Sequence, residues 1–350
     1  MTKKINWQML LSALFLVITL VIVISIAISG NNLQDTIEAL KTMNWEVLIG
    51  CFACWCAYVF FDGLTVYHFL HMQGKPITLI QSTHAAITGI YYSNVTPGAT
   101  GGQPMEMYCL SKYGVSIGIS GSAMAVKFIV FQTMLLIVGI IEWIINRDFT
   151  AVYMSGKQWF VFLGYLVNFF SVGMVLLMGI SKRAVHWLIS KCIALATKLH
   201  LCKNPDASRR KWEDYCESFL NSMQLIIRHP KDVLIQCLIA VAQLMSLMMV
   251  IVLLYKGFAL TGYSVNELIT LGVFLYIGAS YTPLPGASGA QEGGFAMIFS
   301  TVFENSLFVA LLLWRFFTYY LSILVGIVLT VIDNVTGIHK ARKKRTQKPI

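Results

Sequence analysis

The sequence predicts an all-α polytopic membrane protein that contains an inverted-topology repeat with two re-entrant broken helices. Three observations lead to this fold class: long apolar runs, an uneven distribution of lysine and arginine, and a duplicated glycine-rich motif. Of the 350 residues, 57% are hydrophobic and 12% are charged, whereas soluble domains contain about 25% charged residues. Because a soluble core cannot bury so many apolar side chains, the surrounding solvent must be a bilayer.

The apolar residues are arranged in runs that are long enough to cross a bilayer as helices. The first run follows Met1–Lys4, but it is too long for a secretory signal and has no small-residue cleavage site after it. Two further apolar stretches, 78–96 and 266–303, are interrupted by glycine and proline. The six uninterrupted spans lie near 8–29, 46–70, 118–145, 158–180, 233–256 and 305–331.

Lysine and arginine are concentrated in alternate connections between these spans. Twenty of them lie in one set of connections and at the termini, whereas the other set contains four: Lys41, Arg147, Lys157 and Lys256. Because positive connections stay on the cytoplasmic side, we expect both termini to be cytoplasmic. Each interrupted stretch must then begin and end on one face of the membrane, as a re-entrant segment that lines a polar cavity.

The predicted organisation has five parts. A transmembrane helix and an external loop precede the first repeat, a further helix and a basic loop separate the repeats, and a basic cytoplasmic tail ends the chain. The parts are 1–45, repeat 46–145 with its re-entrant segment 78–103, 146–232, repeat 233–333 with its re-entrant segment 266–303, and 334–350.

The glycine-rich motif is the strongest sign of a repeat. The segment PGATGGQ at 97–103 recurs as PGASGAQ at 285–291, with five of seven positions identical. The same offset of 188 residues places the span 46–70 on 234–258 and the span 118–145 on 306–333. The charge distribution gives the paired spans opposite directions, and inverted repeats with broken helices are typical of transporters.

The offset also pairs Lys127 with Arg315, each about ten residues into its span. At a rise of about 1.5 Å per residue, both lie roughly 15 Å deep, where an unpaired charge costs several kcal/mol. One interpretation is that the two cations face a cavity and bind an anion such as a lipid phosphate. The alternative is that each pairs with a buried carboxylate from Asp62, Glu106 or Glu292, and both hold if an ion pair opens for substrate.

Further candidate substrate-binding residues surround the duplicated motif. Glycines allow close backbone approach and free amide donors for an anion, and the two glutamines either contact substrate or cap the re-entrant helices. His84 is expected to be a packed polar residue. Together with the two cations, the candidates are Gln103, Gln291, Glu106, Glu292, Gly98, Gly101, Gly286, Gly289, Asn94 and Tyr281.

Other features of the sequence favour neither catalysis nor metal binding. Cys51, Cys54 and Cys56 have no histidine or second cysteine pair at a suitable spacing, so we expect no metal, no cofactor and no catalytic residue. The basic loop 181–232 is either an amphipathic helix on the membrane surface or an ordinary cytoplasmic hairpin. The basic tail 340–348 is interpreted as a topology signal.

The sequence around both motifs resembles the membrane domain of the lysylphosphatidylglycerol synthase/flippase family, the MprF-like proteins. The resemblance is carried by 94–112 with SKYGV at 111–115, by TPLPGASGAQE at 282–292, and by Arg315. It implies a flippase domain that moves an anionic or aminoacylated phospholipid of the phosphatidylglycerol or lysylphosphatidylglycerol class between leaflets. In that family such transport gives resistance to cationic antimicrobial peptides, and it implies a location in the bacterial plasma membrane.

Two-part members of that family also have a cytoplasmic domain that transfers lysine from its tRNA to phosphatidylglycerol. This sequence ends at Ile350, directly after its last span, so we expect no such domain and no lysyltransferase activity. The alternatives left open are a lipid-modifying enzyme related to the lysyltransferases and a transporter of ions or small solutes. The expected partner is membrane phospholipid and not nucleic acid; a separate lipid-modifying synthase and a second copy of the chain are further candidates.

Overall fold

The computed structural model describes residues 44–75, 77–181, 183, 191, 217–226, 228–280 and 282–346. Within these ranges the chain is helical and contains no strand. Residues 217–226 are helical as well, and the predicted first span 8–29 lies outside the described residues. The main helices are α1 (Trp45–Met72), α2 (Leu79–Val95), α3 (Gly102–Lys112), α4 (Ile117–Ile145), α5 (Arg147–Tyr153), α6 (Gln158–Ile180), α7 (Pro230–Gly257), α8 (Val265–Ala279), α9 (Ala290–Phe303), α10 (Leu307–Arg315) and α11 (Leu321–Thr346).

Five helical stretches in the described residues are long and apolar enough to cross a membrane: Trp45–Met72, Ile117–Ile145, Gln158–Leu177, Pro230–Gly257 and Pro285–Asp333. They coincide with the five predicted spans that the structure describes. The prediction of an all-α polytopic membrane protein is therefore confirmed. The last stretch is long because α9, α10 and α11 follow one another with only a 3₁₀ turn (Glu304–Ser306) and a π-helical turn (Phe316–Tyr320) between them.

Both interrupted stretches begin with the same local device, a capping box. Thr78 accepts a hydrogen bond from the amide of Gln81, whose side chain accepts one from the Thr78 amide, and this starts α2. Ser264 and Glu267 make the same pair of bonds at the start of α8. Each box satisfies two backbone donors that have no partner within the helix. Polar residues in an apolar sequence therefore set both helix starts.

The two copies of the motif adopt the same turn. Pro97–Ala99 and Pro285–Ala287 are single 3₁₀ turns, with Gly98 at φ 58° and Gly286 at φ 59°. The following alanines are also left-handed, at φ 56° and 51°, although a side chain makes this region unfavourable by about 1–2 kcal/mol. The recurrence of this rare pair of conformations at both copies means that the motif encodes one turn, which breaks the helix each time.

Each turn connects two helices that pack against each other. α2 packs on α3 and α8 packs on α9, while the long helices α1 and α7 pack on each other. α7 is the most buried of these spans: 61% of its most apolar stretch is buried, against 17% for α4. Phenylalanines from α9, including Phe295 and Phe299, complete the largest core cluster. The motif turns contact one another, so the two helical hairpins meet at their tips.

The two hairpins make polar contacts with different neighbouring helices. In the first hairpin, His84 of α2 contacts Tyr113 at the end of α3 and lies 3.4 Å from Asp333 of α11. In the second, Thr270 of α8 donates to Glu142 of α4, and a carbonyl of α9 accepts from Tyr153 of α5. The inverted relation of the halves and the re-entrant path of the hairpins stay predictions.

Candidate functional site

A cavity of about 600 Å³ lies where the two hairpin tips meet. Its walls come from both halves of the chain, with Lys127 and Glu106 from the first half and Arg315 and Gln291 from the second. Both predicted cations therefore line one cavity, together with the glycines of the turns, Gly98 and Gly286. The volume is within the range of about 300–1,000 Å³ that is common for small-molecule sites.

Lys127 lies between two carboxylates. Its Nζ donates to Asp62 Oδ2 at 2.5 Å and to both carboxylate oxygens of Glu106 at 2.9 Å. Asp62 and Glu106 are only 3% and 2% exposed. Gln243 of α7 donates to the second oxygen of Asp62 at 2.8 Å. Charged groups at this depth need such partners, because burial removes their hydration.

Glycine on α2 makes room for Glu106. A Cβ atom at Gly89 would lie 2.5 Å from Glu106 Oε2, so no other residue fits there without moving the carboxylate. Gly102 at the start of α3 is similarly close to Ser93 of α2. These two glycines let the arms of the first hairpin approach, and the approach brings Glu106 to Lys127.

Arg315 makes a different cluster with the second turn. Its Nε donates to Glu292 Oε1 at 2.7 Å, and Nη2 lies 2.6 Å from the same oxygen. Nη2 also donates to the carbonyl of Gly286 and to Ser288 Oγ, both at 3.2 Å, and the guanidinium lies 4.5 Å from the centre of the Tyr319 ring. The planar guanidinium thus connects α10 to the turn through several directed bonds.

The π-helical turn begins directly after Arg315. Such turns are rare and frequent at functional sites. In this protein the π turn contains Tyr319, whose ring covers Gly286 and whose hydroxyl donates to the carbonyl of Asn94 at 3.1 Å. One residue of the second half therefore contacts both hairpin tips.

This geometry can be compared with both interpretations of Lys127 and Arg315, which are anion binding and pairing with carboxylates. Lys127 and Arg315 face one cavity, as the binding interpretation requires, and each is paired with carboxylates from the three predicted candidates. An anion that binds either cation must therefore compete with a carboxylate. A binding role requires an ion pair that opens.

The other predicted residues are distributed around these clusters. Gln103 is exposed at the cavity rim, whereas Gln291 is buried in the wall. Asn94 also lines the cavity. Gly101 and Gly289 lie behind it, where their amides donate to Thr96 Oγ1 and to Glu292 Oε2. Glu292 contacts the cavity through Arg315, and Tyr281 lies outside the described residues.

Three polar atoms of the wall have no hydrogen-bond partner among the described residues: Asn94 Nδ2, Gln291 Oε1 and Trp314 Nε1. Gln291 is 8% exposed and Trp314 is 1% exposed. Leaving a buried polar atom unpaired costs about 1–3 kcal/mol. One acceptor and two donors therefore remain for a molecule that enters the cavity.

Sequence reasoning did not identify Gln243, Ser288, Trp314 or Tyr319. Gln243 had a usable signal, because a polar side chain inside an apolar span is costly unless it has a partner. Ser288 belongs to the duplicated motif, but there it only corresponds to Thr100 as a conservative replacement, which does not indicate a contact with Arg315. The aromatic residues had no signal, since aromatic residues are common in all of these spans.

His84 is a packed polar residue, as expected. Its Nδ1 lies 3.0 Å from the Tyr113 hydroxyl and 3.3 Å from Cys109 Sγ, and its other ring nitrogen lies near Asp333. It is absent from the cavity wall. Its contacts hold the open end of the first hairpin to α11.

Comparison with known proteins agrees with the resemblance seen in the motifs. A family model described as the lysylphosphatidylglycerol synthase TM region matches residues 9–326. The chain belongs to this family. A similar relative is a UPF0104 membrane protein of Archaeoglobus fulgidus, 23% identical in an alignment 329 positions long that covers 87% of this chain and 93% of the relative. The match includes both hairpins, both cations and the whole cavity, so this is a multi-pass membrane protein of the family.

Proposed function

We propose that this protein moves a phospholipid with an aminoacylated headgroup, of the lysylphosphatidylglycerol class, between the leaflets of the membrane. The observation that carries the proposal is that one cavity is lined by a cation from each half, at the place where two broken helices meet. In this proposal the halves are inverted repeats, and each hairpin is a re-entrant segment. Binding at a repeat interface between broken helices is the arrangement typical of membrane transporters.

The charges of the cavity favour an aminoacylated headgroup over a purely anionic one. Among the described residues, three carboxylates accompany the two cations: Asp62, Glu106 and Glu292. A bare phosphate would have to displace a carboxylate and leave it unpaired, at a cost of several kcal/mol. A headgroup with both phosphate and ammonium exchanges partners instead: phosphate binds the cation while ammonium binds the freed carboxylate.

The unpartnered wall atoms are also suited to such a headgroup. Trp314 Nε1 can donate to a phosphate or ester oxygen, and Gln291 Oε1 can accept from an ammonium or hydroxyl group. The family's description names lysylphosphatidylglycerol synthase, which is the enzyme class that makes a lipid of this chemistry. These two independent observations favour the same ligand class.

A flipping assay tests the proposal. The purified chain is reconstituted into liposomes with fluorescent lysylphosphatidylglycerol, and an impermeant quencher follows its appearance in the outer leaflet. We expect Lys127→Met and Arg315→Met to slow transfer at least about tenfold, since a charge-assisted bond contributes about 1.5–3 kcal/mol. Lys256→Met is the matched control, because that lysine is exposed at the end of α7 and is not in the cavity wall.

The result also decides between lipid classes and alternatives. If phosphatidylglycerol moves as fast as its lysyl derivative, the charge argument is wrong. If neither lipid moves faster than in empty liposomes, the lipid proposal fails, and a small charged solute becomes the leading substrate because the cavity volume suits one. A lipid-modifying enzyme has less support: Glu106 and Glu292 belong to different ion clusters and do not form an acid/base pair.

A further inference from the structure

The cluster around Lys127 contains more negative than positive charge. One ammonium faces two carboxylates, Asp62 and Glu106, and both carboxylates are more than nine-tenths buried. The other cation of the cavity wall, Arg315, is already paired with Glu292. A buried excess charge without compensation is strongly unfavourable. Some positive species must therefore neutralise the Lys127 cluster while the cavity holds no ligand.

A proton fits this cluster better than a metal ion. Lys127 Nζ already occupies the space between the carboxylates, 2.5 to 2.9 Å from three of their oxygens. A metal ion would have to displace it, whereas a proton on a carboxyl oxygen needs no additional space. Within the described ranges no group of three or more histidine, cysteine, aspartate or glutamate residues could hold a metal ion.

Glu106 is the carboxylate better placed to hold that proton. Each oxygen of Asp62 accepts its own hydrogen bond, from Gln243 and from Lys127, so a proton on either oxygen would displace one of these two donors. The hydrogen bonds found for Glu106 in the described part of the chain come from Lys127 alone. Other titratable groups near Glu106 or in the same cavity are Tyr58 of α1, Cys109 of α3 with His84 of α2, Tyr276 of α8, and Arg315 and Tyr319 of the second half.

We propose that Glu106 holds a proton while the cavity is empty and releases it to water when the ammonium of a headgroup binds in its place. This inference rests on the proposed function, and it adds that lipid and proton exchange at one site. No covalent bond changes except the O–H bond, whose proton leaves to solvent while the carboxylate pairs with the ammonium. The unpartnered Gln291 Oε1 and Trp314 Nε1, in the same wall, are the independent sign that a ligand enters there.

The exchange couples lipid movement to a proton gradient. Protons and the cationic lipid move in opposite directions, so the lipid collects in the leaflet that faces the more acidic compartment. With one proton exchanged per lipid, a difference of one pH unit supports a leaflet ratio of up to about tenfold. The direction of the gradient sets the direction of accumulation, regardless of how the protein is oriented in the liposome.

The test measures leaflet distribution of fluorescent lysylphosphatidylglycerol in proteoliposomes with an acidic exterior, with and without an ionophore that dissipates the gradient. We expect the intact protein to enrich the outer leaflet several-fold, and the ionophore to abolish the enrichment. Glu106→Gln removes both the site of the proton and the partner of the ammonium, so it should move the lipid more slowly and reach no enrichment at any time. Glu46→Gln, a matched change at an exposed helix start, should behave like the intact protein, and empty liposomes measure passive redistribution.

The outcomes separate the two proposals. Flipping without enrichment by the intact protein, or enrichment by Glu106→Gln, overturns proton exchange and leaves the flippase proposal intact. If no lipid moves, the proposed function fails, and difference infrared spectroscopy still tests the proton. The intact protein should show a protonated carboxyl band that Glu106→Gln removes and Glu46→Gln retains; persistence of the band in Glu106→Gln overturns the assignment. If that variant does not fold, the intact protein with a heavy carbon isotope in its glutamate carboxyl groups replaces it: the band should shift, and an unshifted band overturns the assignment to Glu106.

Discussion

The two glycine-rich turns have nearly the same sequence and the same initial backbone conformation, but their surroundings differ. Gly98 is exposed, and a Cβ atom there would meet only Thr100 at 3.9 Å. Gly286 is covered by the Tyr319 ring, with which a Cβ atom would overlap. The two segments differ after the turns. Thr100 continues into helical backbone, whereas Ser288 is extended and is followed by Gly289 at φ 87°. The motif sequence specifies the turn, whereas the residues that pack around each copy determine its environment.

The two cations differ in the same way. Lys127 donates to two carboxylates, whereas Arg315 donates to one carboxylate, one carbonyl and one hydroxyl. The carboxylates do not obey the repeat: the offset places Glu106 on Gly294 and Glu292 on Pro104. Under the predicted repeat, the cation therefore has the same position in both halves while its carboxylate partners differ. The proposed proton exchange then belongs to the first cluster alone, and Arg315 connects α10 to the second turn.

The largest expected effect comes from removing the ammonium of the first cluster. Lys127→Met leaves two buried carboxylates together, and breaking a buried pair in this way costs about 3–5 kcal/mol of folding free energy. Arg315→Met should cost less, because Glu292 is 21% exposed and keeps the Gly289 amide as a donor. Unfolding in detergent at neutral pH measures both.

Two controls sharpen this comparison. Adding Glu106→Gln to Lys127→Met should restore part of the lost stability, since one carboxylate is gone. Acidic pH should also reduce the defect of Lys127→Met, because protonation removes the buried negative charge that Lys127 no longer pairs. Equal defects for the two methionine variants would mean that the clusters are equivalent after all.

The turns provide the next largest contrast. Gly98→Ala and Gly286→Ala both place a side chain at positive φ, which costs about 1–2 kcal/mol. Only Gly286→Ala also forces the Tyr319 ring to move, and overpacking adds about 1–3 kcal/mol. Thermal unfolding of both variants separates backbone strain from packing. If they unfold at the same temperature, the Tyr319 contact does not stabilise the second turn.

A smaller effect is expected when the charge of the second cluster is kept and its shape is changed. Arg315→Lys cannot reproduce the bonds from Nε and Nη2 to Glu292, Gly286 and Ser288, and we expect a loss of about 1–2 kcal/mol. Denaturant unfolding measures it, and Ser288→Ala calibrates it by removing one of these contacts together with the bond from Ser288 to the Pro285 carbonyl. Full stability of Arg315→Lys would show that charge alone is sufficient there.

The smallest effect concerns the bond between the halves. Tyr319→Phe removes only the hydroxyl that donates to the carbonyl of Asn94, which should cost about 0.5–1.5 kcal/mol. Tyr108→Phe, at an exposed position, is the control in the same unfolding measurement. We expect only Tyr319→Phe to lower stability; identical curves would mean that this bond does not hold the hairpin tips together.

Local features of this fold could be predicted from the sequence because each depends on nearby residues. The spans follow from uninterrupted apolar runs, and the breaks follow from the glycine and proline of the motif, whose backbone cannot continue a helix. The pairing of Lys127 with Arg315 as corresponding residues followed from the offset alone. Their location in one cavity was an inference from burial cost, which holds because a bilayer strongly penalises an isolated charge.

The sequence by itself therefore determined the membrane class, the broken helices and the three candidate carboxylates for the cations. Only the tertiary structure decided which carboxylate binds which cation, that Gln103 is exposed while Gln291 is buried, and that Tyr319 contacts both tips. Such contacts join residues far apart in the chain, and they depend on how helices pack across the interface between the halves. A local pattern contains no information about that packing, because equivalent residues in the two copies meet different neighbours.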